Sequence, residues 1–457
     1  MWNSAADVDG NGLPDTNATL ANVTANGVTP SFADTLSFTA QNTPGSYVPG
    51  PSAAGIPGTV SGSVAITAGS ATSSNVNYPE VGSFSLSATP TTDYLSSGVN
   101  LSNRIAVYAN PSSSTRSAWV GRFKPNNFVV AASNFINRSE IGGGVGCAPA
   151  SNFAYMGENI NLSFTLSAMN ALGGLTRNYA GSYAKLDGTN WFAVGTNNSL
   201  GVGAMAQAAS VSGGSCNVTF DFATPSHTAF KNCNVAAPAD ILRAAGPRLS
   251  TVNAPVASNW LLGQASFSAD LMLQRADSAD GPYTFLQLGF APLDGDAVGL
   301  AAGSYNMDAD QDGSNERSFL KVTQVRYGRM LIDNAYGSEL LPLPVAVQAQ
   351  YWSGGQYVKA VDDNCTPLLR ANFLLNAHSG GVDGIDAGNM NAANIPANSG
   401  NMLAGQGTIR LLKPGTVHPI KKGSVTLNSL LSYLPGAGRL TFGLYKAGPV
   451  IYIREIY

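Results

Sequence analysis

Charge is scarce in this sequence. Only 11% of its 457 residues are Asp, Glu, Lys or Arg, against about 25% in an ordinary soluble domain. Glutamate is the scarcest acid, with six Glu against 21 Asp. Without Glu, Lys and Leu at heptad spacing, a coiled coil is excluded. Net charge is −3, and no basic cluster is longer than Lys421-Lys422. That argues against nucleic acid as a partner. Three histidines (His227, His378, His418) and four cysteines without a CxxC pair argue against a zinc site. No run approaches the roughly 20 apolar residues of a membrane span. Met1 to Asp7 has neither a basic region nor an apolar core, so it does not read as a signal peptide. The catalytic signatures GxSxG, HExxH, GxxxxGK[ST] and GxGxxG after a strand are missing too.

What is present is 44% hydrophobic residues and 51 glycines. This is enough apolar material for a core, and it excludes a disordered chain. The dominant local pattern is apolar alternation, the period of a half-buried strand. It covers Ile160 to Ala168, Val218 to Phe222, Ala265 to Leu273, Val345 to Tyr351 and Leu440 to Leu444, with Val450 to Ile453 as a final strand. Turn signals separate them at Asp187-Gly188, Ser212-Gly213-Gly214, Asp280-Gly281-Pro282 and Gly354-Gly355. Helical spacing is rare. Leu427, Leu430, Leu431 and Leu434 fit one short helix after a Thr426 cap, and residues 238–245 a second. The expected fold is all-β, antiparallel sandwich-like domains in series with at most one or two short helices.

Low-complexity stretches at 41–78 and 376–404, and Gly142-Gly143-Gly144, mark loops or boundaries. We divide the chain into an N-terminal β domain (1–124), a central β domain (125–325) and a C-terminal β domain (326–457).

Two acidic loops have calcium-ligand spacing. In the first, Asp7, Asp9, Asn11, the Leu13 carbonyl and Asp15 alternate by two. In the second, Asp308, Asp310, Asp312, the Ser314 carbonyl and Glu316 do the same, with Gly313 at the sharp turn. Calcium takes six to eight hard oxygen ligands, and three carboxylates in such a row repel one another without a cation. Neither loop has the bidentate Glu at its twelfth position, so the expected cofactor is a structural calcium outside an EF-hand. Clusters at Asp294-Gly295-Asp296, Asp362-Asp363 and Asp383 to Asp386 read as turns. The cysteines read as two disulfides. Of the three pairings we favour Cys216–Cys233, a local loop, with Cys147–Cys365 as a long-range staple; the alternative is four buried thiols. Trp191, Trp352 and Tyr357 are candidate sugar platforms, with a core role as the simpler alternative.

Several stretches carry a family resemblance. They are Gly438 to Lys446 with Ile451 to Tyr457, Gly328 to Leu343, Gln350-Tyr351-Trp352, Asp362 to Thr366, Val120 to Phe128 and Phe153 to Gly157. In order and spacing, across about residues 78–457, they resemble the large β-rich domain of the MshQ-like proteins of mannose-sensitive haemagglutinin (type IV) pilus systems. The resemblance implies a non-enzymatic extracellular or cell-surface protein, a tip or assembly subunit. Its partners would be pilins or minor pilins, with a glycan or surface receptor in addition. It also implies that the chain is the C-terminal part of a longer secreted protein, and it carries over no catalytic residue. Within the Ala335 to Leu340 motif we expect packing contacts, with Gly337 supplying a turn and Tyr336 and Leu340 buried. Two other readings stand beside this one: a calcium-dependent carbohydrate-binding surface protein, and a polysaccharide-active hydrolase.

Overall fold

The computed structural model describes residues 8–9, 15, 33–40, 44–90, 119–141, 151–208, 217–220, 248–307, 314–380, 384–415 and 421–443. They form strands and loops, with no helix of seven or more residues. The helical pieces among them are three-residue turns such as Gly181–Tyr183 and Ala392–Asn394. No described helix is long and apolar enough to cross a membrane. The expected all-β class is the observed one.

The chain divides into two compact units. The first comprises Met1–Val129, Leu166–Lys185 and Asn259–Ala265; the second comprises Val130–Thr165, Leu186–Ser258 and Ser266–Tyr457. In the first unit the strands Tyr47–Val48, Gly82–Pro90, Asp34–Ala40 and Ser63–Ile66 lie in that order, and Trp119–Phe123 also pairs with Gly82–Pro90. Aromatic stacking fills its small core: Tyr78 on Phe84 at 4.1 Å and Phe84 on Phe123 at 5.7 Å.

The second unit holds the larger core. There Gly328–Ile332, Leu343–Trp352 and Tyr357–Lys359 form an antiparallel sheet, which Gln406–Leu411 joins against Leu343–Trp352. A second sheet runs Ala335–Gly337, Gly436–Phe442, Gly423–Ser429, Phe373–Ser379. Met330, Ile332, Val345, Val347 and Ala349 of one sheet and Val425, Leu427, Leu440 and Phe442 of the other belong to one buried cluster. The alternation at Val345 to Tyr351 is thus what buries one face of this sheet and leaves the other outward.

The helix expected at Leu427 to Leu434 is not formed. Gly423–Ser429 is a strand, with Val425 opposite Leu440 and Leu427 opposite Gly438. Ladder hydrogen bonds on both edges and burial of Val425 and Leu427 outweigh a leucine spacing that also fits a helix. Leu430, which would sit on the apolar stripe, is 54% exposed. Residues 238–245 and 450–453 lie outside the described residues.

Gly405, in the turn before Gln406–Leu411, ties the Asp363 loop to the Leu343–Trp352 strand. Its N–H donates to the Asp363 carbonyl at 2.8 Å, and its carbonyl accepts from Ala349 at 2.9 Å. It has φ +68, and a Cβ there would lie 2.3 Å from the Ala360 carbonyl oxygen. Gly405→Ala is therefore expected to lower unfolding free energy by roughly 1–3 kcal/mol, measured by urea denaturation.

A polar knot lies inside the second unit. Arg138, fully buried, donates from Nε to Glu158 at 2.8 Å, from Nη1 to Asp363 at 2.8 Å and from Nη2 to Thr366 Oγ1 at 2.6 Å. Its guanidinium also lies 5.0 Å from the Tyr155 ring centroid. Asp363 accepts further bonds from Tyr155 Oη and Thr366 Oγ1. Burial opposes charge on both carboxylates, but the outcomes differ. At Asp363 the Arg138 charge and the Thr366 bonds win, and the pKa is lowered. At Glu158 burial wins over the same arginine, and the pKa rises to about 7. A carboxyl whose folded pKa is raised binds more protons folded than unfolded. Its stabilisation is fully present below about pH 4.5 and is lost as pH rises through about 7. Glu140, exposed at its tip, shifts in the same direction, chiefly through partial desolvation. Stability is expected to fall between pH 4.5 and 7, and Glu158→Gln to flatten much of that slope. Chemical denaturation across the range checks this.

Candidate functional site

The outward face of the Leu343–Trp352 sheet is built in rows by strand register. Gly354-Gly355 makes the tight loop of a hairpin: Ser353 N–H donates to the Gln356 carbonyl, and Gly354 has φ +97. A positive φ at the first loop position suits a two-residue hairpin, and glycine supplies it without strain. The hairpin sets Tyr357 opposite Trp352 and Lys359 opposite Gln350. On the other side Arg329 is opposite Gln350 and Leu331 opposite Gln348, while Trp352 N–H donates to the Tyr327 carbonyl at 2.9 Å. Side chains alternate along each strand, so three rows result: Tyr327, Trp352 and Tyr357; Arg329, Gln350 and Lys359; Leu331, Gln348 and Gln406. Leu331, Pro344, Ala346, Gln406 and Thr408 are exposed, Tyr327, Arg329, Gln348, Trp352, Tyr357 and Lys359 are half-buried, and Gln350 is buried beneath them.

Rings and guanidinium groups interleave here. Arg275 stacks on Tyr327 at 3.8 Å and Arg329 on Tyr357 at 3.7 Å; Tyr357 meets Trp352 edge-on at 5.3 Å. Such contacts hold flat groups in fixed planes. Arg329 Nε donates to Gln350 Oε1 at 2.9 Å, and Gln350 Nε2 donates to Gln348 Oε1 at 2.6 Å. A line of planar hydrogen-bonding groups therefore runs beside an aromatic row. The Tyr357 hydroxyl is pushed up by burial first and by Tyr327 next, against the opposing pull of Arg329 and Arg275. This arrangement can stack flat apolar rings and donate hydrogen bonds. It offers no nucleophile paired with a base.

The residues singled out from sequence scatter. Trp191 is buried, 5.8 Å from Phe164 in the core, and is no platform. Trp352 and Tyr357 are brought together. Asp308, Asp310, Asp312, Asp7, Asn11, Leu13, Cys147, Cys216 and Cys233 lie outside the described residues. Ser314 is exposed, and Glu316 Oε1 accepts from Arg317 at 3.2 Å. Asp9 is exposed, and Asp15 Oδ2 accepts from Val8 N–H at 2.8 Å. Among the described residues no group of three or more His, Cys, Asp or Glu is placed to hold a metal ion. Cys365 is disulfide-bonded and accepts from Arg138 Nη1 at 3.2 Å.

The expectation for the Ala335 to Leu340 motif is corrected. Tyr336 is 74% exposed and Leu340 54% exposed, not buried. Ala335–Gly337 pairs with Gly436–Phe442 so that Tyr336 points outward. Gly337 lies within that strand rather than in a turn, and is small because a Cβ would meet Leu343 Cδ1 at 2.7 Å. The Asp362-Asp363 pair does sit at a turn, with Asp363 N–H on the Ala360 carbonyl at 2.9 Å, and in addition takes two arginines: Arg326 grips Asp362 at 2.6 and 2.7 Å, and Arg138 takes Asp363. Neither arginine lies near in sequence, so no local signal announced the pairing. Arg275, Tyr327, Arg329 and Gln350 carry no local sequence signal, because their rows exist only once the strands are paired.

A groove of ≈ 490 Å³ elsewhere in the unit is lined by Leu340, Pro342, Asn389, Asn394, Leu412 and Lys413. Its asparagines are spent on backbone, with Asn389 Nδ2 on the Gly384 carbonyl and Asn394 Nδ2 on the Lys413 carbonyl. The sheet face, with free donors, is the stronger candidate.

Two sequence patterns of one family match the chain. The third domain of DUF6701 matches residues 80–238, and its fourth domain matches residues 326–456. Comparison with curated proteins finds no match. Among solved structures, that of FdeC, an Escherichia coli adhesin, is similar at a TM-score of 0.28 and 11% sequence identity, covering 92% of this chain and 89% of that chain.

Proposed function

For a chain that carries DUF6701 domains, we propose a non-enzymatic, extracellular role in surface binding, as an adhesive or structural subunit of a type IV pilus of the mannose-sensitive haemagglutinin kind. The observation that carries the binding role is the outward sheet face, where half-buried Tyr327, Trp352 and Tyr357 lie beside Arg329 and Gln348. The disulfide-bonded Cys365 supports an oxidising compartment. Ile141, six positions before Cys147, packs against Cys365, which favours Cys147–Cys365 as the staple and leaves Cys216–Cys233 as the local loop. The pilus assignment rests on the sequence resemblance at Gly328 to Leu343 and Gly438 to Lys446. A hydrolase is disfavoured because Glu158 and Asp363 are both committed to Arg138 and closed off from solvent. Immunogold labelling of piliated cells tests the proposal: grains on pili or at their bases support it, and grains confined to the cytosol overturn it.

The Asp308 to Glu316 loop is proposed to take a structural calcium, on its ligand spacing alone. Calcium is expected to raise the melting temperature by several degrees, since a ligand of the folded state stabilises by mass action. Asp310→Ala should abolish the shift. A melting curve unmoved by chelator removes calcium from the account.

A further inference from the structure

We propose that the outward face of the Leu343–Trp352 sheet binds a polysaccharide bearing sugar carboxylates, with a ring stacked on Trp352 and Tyr357 and a carboxylate held by Arg329. The inference rests on the extracellular binding role above and names the ligand class that role would serve.

The argument begins with how arginines are partnered. Arg138, Arg248, Arg317 and Arg326 each have a carboxylate. Among the described residues Arg275 and Arg329 have none, and neither do Arg370 and Arg439, which bond the Ile395 carbonyl and Ser424 Oγ away from this face. Arg275 Nη1 donates to the carbonyls of Gly328 and Tyr433, and Arg329 uses only Nε, on the Gln350 amide oxygen. Lys359 stands in the same row as Arg329 without an ion pair among the described residues. In a chain with 27 acids and 24 bases, three cations thus gather at the aromatic end of one face without a carboxylate partner. The acid Asp333 is exposed beyond Leu331, at the opposite end.

The free groups are also of one kind. Among the described residues Arg329 Nη1 and Nη2, Lys359 Nζ and Gln348 Nε2 are donors without partners. A guanidinium stacked flat on a ring keeps its plane fixed, and its Nη1–Nη2 edge remains open for two parallel bonds to a carboxylate. A neutral glycan can accept these bonds through its hydroxyl and ether oxygens, but it carries no charge to meet the cations. A uronate supplies acceptors where the donors are and an apolar ring face where Trp352 and Tyr357 are. The aromatic row spans two strand spacings, about 10 Å, long enough for adjoining sugar rings.

The test is affinity electrophoresis of the purified full chain in gels containing polygalacturonate, neutral dextran, dextran sulfate or oligo(dT). Retardation by polygalacturonate and not by dextran is expected. Arg329→Ala and Trp352→Ala should each weaken it about tenfold, and Arg329→Lys should weaken it less than Arg329→Ala. Lys359→Glu, on the rim and outside the packed core, should weaken it severalfold without moving the melting temperature, so that a folding defect in the other variants cannot mimic the result. Migration unaffected by polygalacturonate overturns the proposal. So does binding that survives both alanine variants, or equal retardation by dextran sulfate or oligo(dT), which marks a general polyanion effect. A chain that labels at the cell surface but ignores polygalacturonate sinks this inference and leaves the extracellular role standing.

Discussion

Replacing Arg138 with methionine is expected to lower the unfolding free energy of the second unit by about 3–5 kcal/mol. The side chain is fully buried, and two carboxylates and a threonine hydroxyl converge on it. Methionine fills much of the volume but leaves Glu158 and Asp363 buried without their cation. Burying an unpaired charge costs far more than the pair itself contributes. The loss concentrates at Asp363, whose carboxylate must stay ionised to accept from Thr366 and Tyr155 at once. Glu158, already raised to about 7, can take a proton and soften its share. Arg138→Lys keeps the charge but cannot reach three partners with one fork, and should cost about half as much. Urea denaturation followed by tryptophan fluorescence measures both. A loss below about 1 kcal/mol for Arg138→Met would mean the knot is not a stabilising centre.

Reducing the disulfide at Cys365 is expected to cost about 3–5 kcal/mol. Under the proposed pairing with Cys147 the closed loop is 365 − 147 = 218 residues. Closing a loop of that size removes roughly 5 kcal/mol of unfolded-chain entropy in the simplest account. Cys365 also abuts the knot through Arg138 Nη1, so reduction should loosen the same centre. Cys365→Ser should reproduce most of the effect. A melting temperature unchanged by reductant under mildly denaturing conditions would contradict the staple.

Much of the scaffold was legible in the sequence. The Ile160 to Ala168 and Ala265 to Leu273 alternations mark strands because burial on one face of a sheet repeats every two residues. Gly354-Gly355 marks a hairpin because few other residues adopt its backbone. The Leu427 to Leu434 stripe misled, since four leucines at helical spacing say nothing about the ladder partners waiting on either side. Tyr336 and Leu340 misled in the opposite way, as apolar residues in a motif that faces solvent. The knot was invisible because Arg138 and Asp363 are 225 positions apart. The proposed binding face is half legible: Trp352 and Tyr357 stand out as aromatics, whereas Arg275, Tyr327 and Arg329 become neighbours only through register and stacking.

The low charge that opens the sequence takes on a different meaning in the structure. Arginines and carboxylates are paired off at Arg138, Arg248 and Arg326 inside the second unit. On one aromatic face Arg275, Arg329 and Lys359 have no carboxylate partner among the described residues.

The most direct test of an extracellular role is peptide mapping, without reduction, of material shaved from intact cells by trypsin. The account predicts that the Cys365 peptide is released from unbroken cells and migrates cross-linked to the Cys147 peptide. Recovery of both peptides only after lysis, with free thiols, would contradict it.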